Sequence, residues 1–516
     1  MSDFGSTTPI HLERGEGKGL ATGTLGLWGS TVIGLASTAP VYSLVATLGF
    51  VVLAVGAQAP IAFVIAFVPM LFIAFAYREL NNEIPDCGTT FTWGTKAFGP
   101  WVGWMGGWGV AVAGMVVLAN LAQIASVYFW DLFGLDLANN DGRIILVAVA
   151  FIAAMTWVSW RGVEIGERIQ NVLLAIQYVA LAIFVVAALW QFFAGTAPGA
   201  TAFDWEWLNP FAFTDFHGFT EAVLLALFIY WGWDTCLALN EETKDPKRIP
   251  GRAALLTTII LLFTYVSVTI AAMMYAGLGE EGTGLGNIDN ADDFFLAIKD
   301  GLLGPWGWLL VVAVLISAVS STQTTILPTA RGTLAMGVYR ALPARFKTVH
   351  PVYKTPSFST IVGGTVAICY YVGMTLISDN ILQDSILSLG LAIAFYYAIT
   401  GYACVSYYRR DLGRSARDLW FKGIFPLLGA LMLTYAFVQS AIDMWDVDYG
   451  YTVLFGIGGT FVVGIGALLV GVVLMVIWYL FPRSKPFFQG RSLNRETPVM
   501  VPDEPGDIIR SIDGGI

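Results

Sequence analysis

The chain has 516 residues, of which 56% are hydrophobic and only 12% are Asp, Glu, Lys or Arg. A soluble chain carries about a quarter of charged residues, so this composition excludes an ordinary soluble enzyme and a disordered protein. The net charge of −10 excludes a nucleic-acid binder, because phosphates repel it. Since twelve spans of about 20 residues account for the apolar excess, we predict an all-α integral membrane protein with twelve transmembrane helices.

Twelve apolar stretches, called spans 1 to 12, follow one another along the chain. They cover residues 23–48, 53–77, 101–130, 144–160, 169–193, 219–239, 253–276, 306–329, 358–377, 386–408, 423–441 and 452–480. These stretches predict an N-terminal segment (1–22), two groups of five spans (23–193 and 219–408), a last pair of spans (423–481) and a proline-rich, flexible tail (482–516).

The basic residues orient the predicted spans. If both termini are cytoplasmic, all but two of the 27 Lys and Arg residues lie on the cytoplasmic side, and only Arg143 and Lys299 lie outside. This is the bias expected of a multi-pass protein of the cytoplasmic membrane. The predicted outer loops are acidic, and two interpretations stay open: a vestibule that enriches cations, or an ordinary solvated surface.

Two spans contain residues that interrupt a helix. In span 1, residues 36–40 read Ala-Ser-Thr-Ala-Pro, and in span 6, residues 230–234 read Tyr-Trp-Gly-Trp-Asp. Interrupted helices at corresponding places of two halves indicate the midplane binding site of a transporter. The free amides of a half-helix attract a carboxylate and its free carbonyls attract a cation, so a zwitterion suits such a site. The alternative is that Gly and Pro are simply common in membrane helices.

Asp234 follows the glycine of span 6. A carboxylate in a membrane span is costly and therefore a functional candidate, here as a proton carrier. Glu241 lies seven residues later, about 10 Å along a helix. The alternative is therefore that Asp234 lies near the inner end of the span, held by a hydroxyl such as that of Thr235 or by a basic loop residue.

Several connections carry motifs of a known family. The connection between spans 2 and 3 reads YREL at 77–80, PDCGTTFTW at 85–93 and FGPWVGW at 98–104. It resembles the signature of the amino acid–polyamine–organocation superfamily. Further similar segments are RGV at 161–163, EETKDPKRIP at 241–250, Arg331 and Leu342-Pro343.

The resemblance implies the leucine-transporter fold, with two inverted five-helix repeats and two additional helices. It also implies a substrate site at the breaks of spans 1 and 6. The resemblance implies that the backbone around Ser37, Thr38 and Ala39 faces the substrate carboxylate. It implies that the carbonyls near Phe228, Trp231 and Gly232 face the substrate's amino group, and that the aromatic ring of Phe228 covers the substrate. Asn120 in span 3 either reaches this site or hydrogen-bonds between helices.

The resemblance also implies candidates for coupling. Asp234 matches a carboxylate linked in relatives to protons, and Gln177 stands where proton-coupled relatives carry a lysine. Ser317, Ser320 and Ser321 share one face of span 8 and, with the span 1 backbone near Gly34, match a sodium site. The alternative for these serines is small-residue helix packing. Proton and sodium coupling stay open, with the proton favoured.

Together these features predict a secondary active permease that moves an amino acid or related organic amine by alternating access. The alternatives are a polyamine or inorganic-cation carrier and, in another class, a non-transporting sensor or a channel on the same fold. The three histidines are far apart, so no metal site is expected. No enzymatic activity and no cofactor are expected either. The expected partners are the small-molecule substrate and the lipid bilayer.

Overall fold

The computed structural model describes residues 17–499, except 136, 139, 214, 215 and 292. Its helices, labelled α1 to α20 in chain order, are Leu27–Ser37, Pro40–Val45, Leu48–Val55, Ala59–Glu83, Thr90–Phe98, Pro100–Asp131, Gly142–Arg161, Val163–Ala194, Phe216–Ile229, Thr235–Ala238, Ile249–Ala276, Phe294–Leu303, Trp308–Val338, Ser357–Ile377, Asp379–Leu387, Leu389–Tyr408, Ala416–Asp418, Phe425–Asp443, Gly459–Tyr479 and Lys485–Phe488. A π-helical turn (Leu419–Ile424) precedes α18, and two short antiparallel strands, β1 (Val453–Leu454) and β2 (Ile457–Gly458), precede α19.

The chain is a multi-pass membrane protein by the length and apolarity of its helices. Ten helical segments of the described residues are long and apolar enough to cross a bilayer, and they correspond to predicted spans 2–5 and 7–12. Predicted spans 1 and 6 are instead built from short helices: α1 and α2 for span 1, and α9 and α10 for span 6. The breaks predicted in these two spans are therefore present.

The start of span 2 differs from the prediction. We expected a helix from residue 53, but α3 ends at Val55 and α4 begins at Ala59. Gly56 has a φ of 57°, a conformation that glycine adopts without strain, and Pro60 stands in the first turn of α4, where it is tolerated. The apolar run across this turn hid it from a reading of hydropathy alone.

The long helices divide into central and peripheral ones. In the apolar windows of α6 and α13, 72% of the residues are buried, against 28% in α7, α14 and α19. Helices α6 and α13 pack against each other, and α1 packs against α13 and α11. The peripheral helices leave apolar side chains exposed, as expected where lipid is the solvent.

The predicted flexible tail differs from expectation over its first part. Residues 482–499 pack on the bundle, with Phe487 and Leu493 fully buried. The ammonium of Lys96 in α5 donates hydrogen bonds to the carbonyls of Asn494 (3.2 Å) and Thr497 (2.5 Å). The prolines suggested a flexible chain, but the apolar side chains between them hold this part in place. Residues 500–516, like 1–16, lie outside the described residues.

Candidate functional site

The first break separates α1 from α2. Ser37 ends α1, Pro40 begins α2, and Ala39 between them has a left-handed φ of 47°. Proline has no N–H group and disfavours helical geometry in the residue before it. The Ala-Pro pair therefore interrupts the helix at the place that the sequence predicted.

The second break lies directly against the first. Gly232, with a φ of 112°, lies in the turn between α9 and α10. A Cβ atom on Gly232 would lie 2.7 Å from the carbonyl oxygen of Ser37, so the backbones approach as closely as only glycine permits. The hydroxyls of Ser37 and Thr235 form a hydrogen bond of 2.8 Å. Both breaks therefore form one buried site.

The amide groups around the first break are largely engaged. The N–H groups of Thr38 and Ala39 donate to carbonyls within α1, each at 3.2 Å, and Pro40 has none. The N–H of Tyr42 donates to a serine hydroxyl of α13 at 3.3 Å. The first amides of a helix have no partner within it, and among the described residues Val41 is the α2 amide left for a ligand.

Two of the three predicted span 8 serines contact this break. Ser321 Oγ donates to the carbonyl oxygen of Ser37 at 2.9 Å, and Ser317 Oγ accepts the Tyr42 amide. Ser320 instead donates to Gln170 of α8. Gly34 lies against α11, where a Cβ atom would be 2.7 Å from Thr257 Oγ1. The predicted sodium-site residues therefore contact three different elements: the first break, α8 and α11.

A glutamine of α8 does reach the span 8 hydroxyls, but it is Gln170 and not Gln177. Gln170 Nε2 donates to the carbonyl oxygen of Ser320 at 3.0 Å. Gln177 is two helical turns further along, and its amide has no hydrogen-bond partner within the described part of the chain. The sequence analysis did not single out Gln170, because this residue is the second of predicted span 5 and follows the basic connection directly.

Asp234 lies within the second break, beside two tyrosines of α16. The hydroxyls of Tyr397 and Tyr396 donate to its carboxylate at 2.9 Å and 3.2 Å. The indole of Trp231 in turn donates to Tyr396. The carboxylate is buried, with the whole residue only 8% exposed. The hydroxyls that hold it come from span 10 and not from Thr235, and no pattern in the sequence pointed to them.

Asn120 contacts the half-helix after the first break, and Phe228 precedes the second break along the chain. The Asn120 side chain of α6 accepts a hydrogen bond from the hydroxyl of Tyr42 in α2, and both residues are buried. Phe228 stands at the end of α9, one residue before its last, and is half-buried. Asn120 therefore contacts the half-helix that follows the first break.

Residues of the family motifs meet in a second buried cluster. The ammonium of Lys18 forms ion pairs with Asp86 (2.8 Å) and Glu241. Beside it, Arg331 binds Glu242 through two hydrogen bonds of 2.6 Å and 3.0 Å. We call Lys18, Asp86 and Glu241 the Lys18 cluster. It joins the N-terminal segment to the connection between spans 2 and 3 and to the connection after span 6.

Charge pairing dominates the electrostatics of the Lys18 cluster. Burial disfavours the ammonium, but the carboxylates raise the pKa of Lys18 well above its ordinary value. Burial also opposes ionisation of Asp86, yet Lys18 lowers its pKa below 3.8. For Glu241 burial prevails and raises the pKa above 4.5. Ligand atoms of Asp86, Cys87 and Glu241 lie within 4.8 Å of one another, but the ammonium of Lys18 supplies the cation of this group.

Comparison with known proteins identifies the family. The amino acid permease family model matches residues 25–477, which is most of the chain. The chain belongs to the amino acid permease family. This confirms the resemblance to the amino acid–polyamine–organocation superfamily, and it makes the chain a permease rather than an enzyme.

Three transport proteins are examples of the chain's relatives. An uncharacterised transporter of Mycobacterium tuberculosis is 26% identical over 420 residues, 81% of this chain and 87% of the relative. The low-affinity putrescine importer PlaP of Escherichia coli is 25% identical over 416 residues, 79% of this chain and 86% of its own. The serine/threonine exchanger SteT of Bacillus subtilis is 23% identical, covering 74% of this chain and 82% of its own.

Proposed function

We propose that this permease is a secondary active transporter that moves an amino acid or a related organic amine across the cytoplasmic membrane, coupled to a proton gradient. The observation that carries the proposal is the contact between the two breaks. It joins Ser37, Gly232 and Thr235 with the hydroxyl of Ser321. Irregular backbone at membrane depth is tolerated only where protein or a cavity surrounds it, and in transporters such breaks hold the substrate.

Asp234 supports a proton as the coupling ion. Its carboxylate is buried and its direct hydrogen-bond donors are neutral tyrosine hydroxyls. A carboxylate without a basic partner in a membrane span gains most from taking up a proton. A proton bound there removes a charge beside the breaks, and its release restores that charge. Substrate movement and proton movement thereby become linked through one residue.

Alternating access requires that the site open to one side at a time, and the Lys18 cluster supports this. It ties together the N-terminal segment, the connection after span 2 and the connection after span 6 on the predicted cytoplasmic side. The N–H groups of Thr24 and Leu25 add hydrogen bonds to the Glu242 carbonyl, at 2.9 Å and 3.1 Å. We infer that these contacts close the cytoplasmic path and separate when the substrate leaves.

A polyamine is the second candidate substrate, and the engaged amides of the first break favour it. A substrate carboxylate needs free N–H donors, but those of Thr38, Ala39 and Tyr42 are taken and Pro40 has none, which leaves the Val41 amide as the donor of α2 among the described residues. Asp234 next to the second break offers an anionic partner for an ammonium. A similar permease, PlaP, is a putrescine importer, while SteT exchanges serine and threonine.

Reconstitution into proteoliposomes tests the proposal. Vesicles without internal substrate receive an inward proton gradient, and uptake of labelled serine, threonine and putrescine is followed with and without the protonophore that collapses the gradient. We expect one of these substrates to accumulate above its external concentration only while the gradient persists. Uptake that stops at equal concentrations indicates a facilitator or channel, and binding without flux indicates a sensor. A thermal-shift screen identifies the substrate beforehand, since a ligand at 100 times its Kd stabilises by about 2.7 kcal/mol.

A further inference from the structure

A cavity lies away from the breaks, between α6, α13, α14 and α19. Its volume is about 340 Å³, more than twice the roughly 150 Å³ of an apolar protein cavity that binds benzene. The walls are apolar side chains of all four helices and of the segment after α13, among them Val112, Met336, Leu342, Val362 and Leu474. Such a cavity suits a hydrocarbon and not water.

Three tryptophans shape the cavity. The indole nitrogen of Trp104 donates to the Ala341 carbonyl at 2.9 Å, and that of Trp108 donates to the Ala467 carbonyl, also at 2.9 Å. The indole nitrogen of Trp478 reaches the Arg340 carbonyl at 3.3 Å. Because the polar edge of each ring is bound to backbone, the rings contribute apolar surface to the cavity wall.

The cavity opens toward the bilayer. The lining residues Val366, Leu474 and Ile477 are 45%, 41% and 48% exposed. They belong to α14 and α19, the peripheral helices whose exposed faces are apolar. An opening framed by such side chains in a membrane protein meets acyl chains, since lipid is the solvent at this surface.

The end of the cavity on the predicted cytoplasmic side has a basic rim. Arg345 and Lys347 flank Phe346, which lines the cavity, and Arg340 lies two residues before Leu342. Arg483 follows α19, and all four basic residues are exposed. The sequence has no Asp or Glu in residues 301–378 or 449–495, and α6 carries an acidic residue only at its opposite end. The rim is therefore positively charged without compensation from these segments.

We propose that this cavity binds an anionic phospholipid of the membrane, with an acyl chain between the four helices and the phosphate against the basic rim formed by Arg340, Arg345, Lys347 and Arg483. Basic pockets between membrane helices on the cytoplasmic side attract anionic headgroups. Trp104 and Trp478, whose indoles bind the carbonyls of Ala341 and Arg340 next to the rim, are side chains of the type that is enriched at this depth of the bilayer.

The proposed lipid site is connected to the breaks through α13. Thr329 and Thr333 line the cavity, while Ser321, about 12 Å away at 1.5 Å per residue, holds the carbonyl of Ser37. Pro328 lies in this helix between the two regions. A bound acyl chain would therefore contact the C-terminal part of α13, while the middle of the same helix contacts the proposed substrate site through Ser321.

The test fills the cavity from α14. At Gly363 a Cβ atom would meet only one methyl group, at 4.0 Å, so the side chain of Gly363→Leu projects into the cavity. Gly373→Leu is the matched control, because Gly373 lies on the same helix with nothing within 4 Å of a Cβ atom and does not line the cavity. Val362→Phe adds volume from the neighbouring lining position and serves if Gly363→Leu fails to fold.

Native mass spectrometry of the purified full chain counts bound lipid, and thermal shift with added phosphatidylglycerol, phosphatidylcholine or inorganic phosphate measures selectivity. We expect retained anionic lipid and a rise in melting temperature with phosphatidylglycerol alone. The Gly363→Leu variant should show neither the retained anionic lipid nor the rise in melting temperature with phosphatidylglycerol, whereas the Gly373→Leu variant should show both. Replacing the four rim residues Arg340, Arg345, Lys347 and Arg483 together by Gln leaves lipid binding but removes the preference for phosphatidylglycerol.

Three outcomes overturn the proposal. The first is that both cavity-filling variants retain as much anionic lipid as the control. The second is that the unmodified protein gains as much from phosphatidylcholine as from phosphatidylglycerol. The third is that inorganic phosphate alone reproduces the shift, which assigns the basic residues to a free anion.

Discussion

Gly232 lies against Ser37 so closely that a Cβ atom would be 2.7 Å from the carbonyl oxygen of Ser37 and 2.8 Å from its carbonyl carbon. These two residues come from opposite halves of the predicted spans, and each belongs to a helix break. A side chain at position 232 would hold the breaks apart. Because of this contact, a movement of one broken helix requires a movement of the other.

We expect Gly232→Ala to lower the transport rate by about tenfold or more. A left-handed φ costs a non-glycine residue about 1–2 kcal/mol, and the new methyl group also overlaps the Ser37 backbone, which cannot swing away as a side chain does. Initial uptake rates in proteoliposomes at equal protein content measure the effect. Gly466→Ala is the control, since a Cβ atom on this α19 glycine meets nothing within 4 Å. Equal rates for both variants would mean that the close contact is dispensable.

We expect Asp234→Asn to abolish accumulation against a gradient while leaving exchange of internal for external substrate. The two tyrosine hydroxyls bind different carboxylate oxygens. In Asn the amide oxygen still accepts from one hydroxyl and the NH2 group donates to the other, so both contacts can be kept, but the residue no longer takes up or releases a proton. Asp448→Asn, at an exposed carboxylate, is the control. Unchanged accumulation with an unchanged pH dependence would remove Asp234 from the coupling mechanism.

The two helix breaks could be predicted from the sequence because Pro and Gly act on the backbone locally. Pro40 removes a donor from its own helix, and Gly232 supplies a φ that other residues avoid. Neither effect depends on a distant partner, so both were visible in the order of residues. The family motifs likewise predicted membership, which the match over residues 25–477 confirms.

Contacts between helices were not visible in the same way. The choice between Gln170 and Gln177 depends on how far α8 is shifted along α13, and seven residues leave the side chain on the same helix face. Asp234 meets Tyr396 and Tyr397, which lie more than 160 residues away along the chain. Lys18 and Glu241 are 223 residues apart. Such pairs are set by tertiary packing, for which one sequence carries no periodic signal.

We expect transport without a requirement for sodium, because Gln170 and not a free hydroxyl surface faces Ser320. Ser321→Ala removes the hydrogen bond to the Ser37 carbonyl, worth about 0.5–1.5 kcal/mol, and should lower the uptake rate about two- to tenfold. The loss should be the same in sodium and in choline medium, at equal proton gradients. A loss confined to sodium medium would instead identify the span 8 hydroxyls as sodium ligands.

Lys18→Met should destabilise the protein strongly at neutral pH, by about 3–5 kcal/mol, because it leaves two buried carboxylates without their cation. In the unmodified protein, Asp86 and Glu241 change the stability in opposite directions as the pH falls. The pKa of Glu241 is raised in the folded state, so falling pH stabilises the protein as Glu241 takes up a proton above pH 4.5. The pKa of Asp86 is lowered, so its stabilisation is present above pH 3.8 and is lost as the pH falls below that value.

Without Lys18 both carboxylates take up protons more readily, so the destabilisation by Lys18→Met should shrink between pH 7.5 and pH 5.5. Thermal unfolding of the purified variant at three pH values in this range, each compared with the unmodified protein, measures the trend. Lys485→Met changes an exposed lysine and should show neither the loss nor the pH dependence. A deficit for Lys18→Met that stays constant over the range would indicate that lost packing of the lysine side chain, and not unpaired charge, causes the effect. Transport by the same Lys18→Met variant tests the closure of the cytoplasmic path. If uptake falls while the substrate still raises the melting temperature, the Lys18 cluster acts in closure and not in substrate binding.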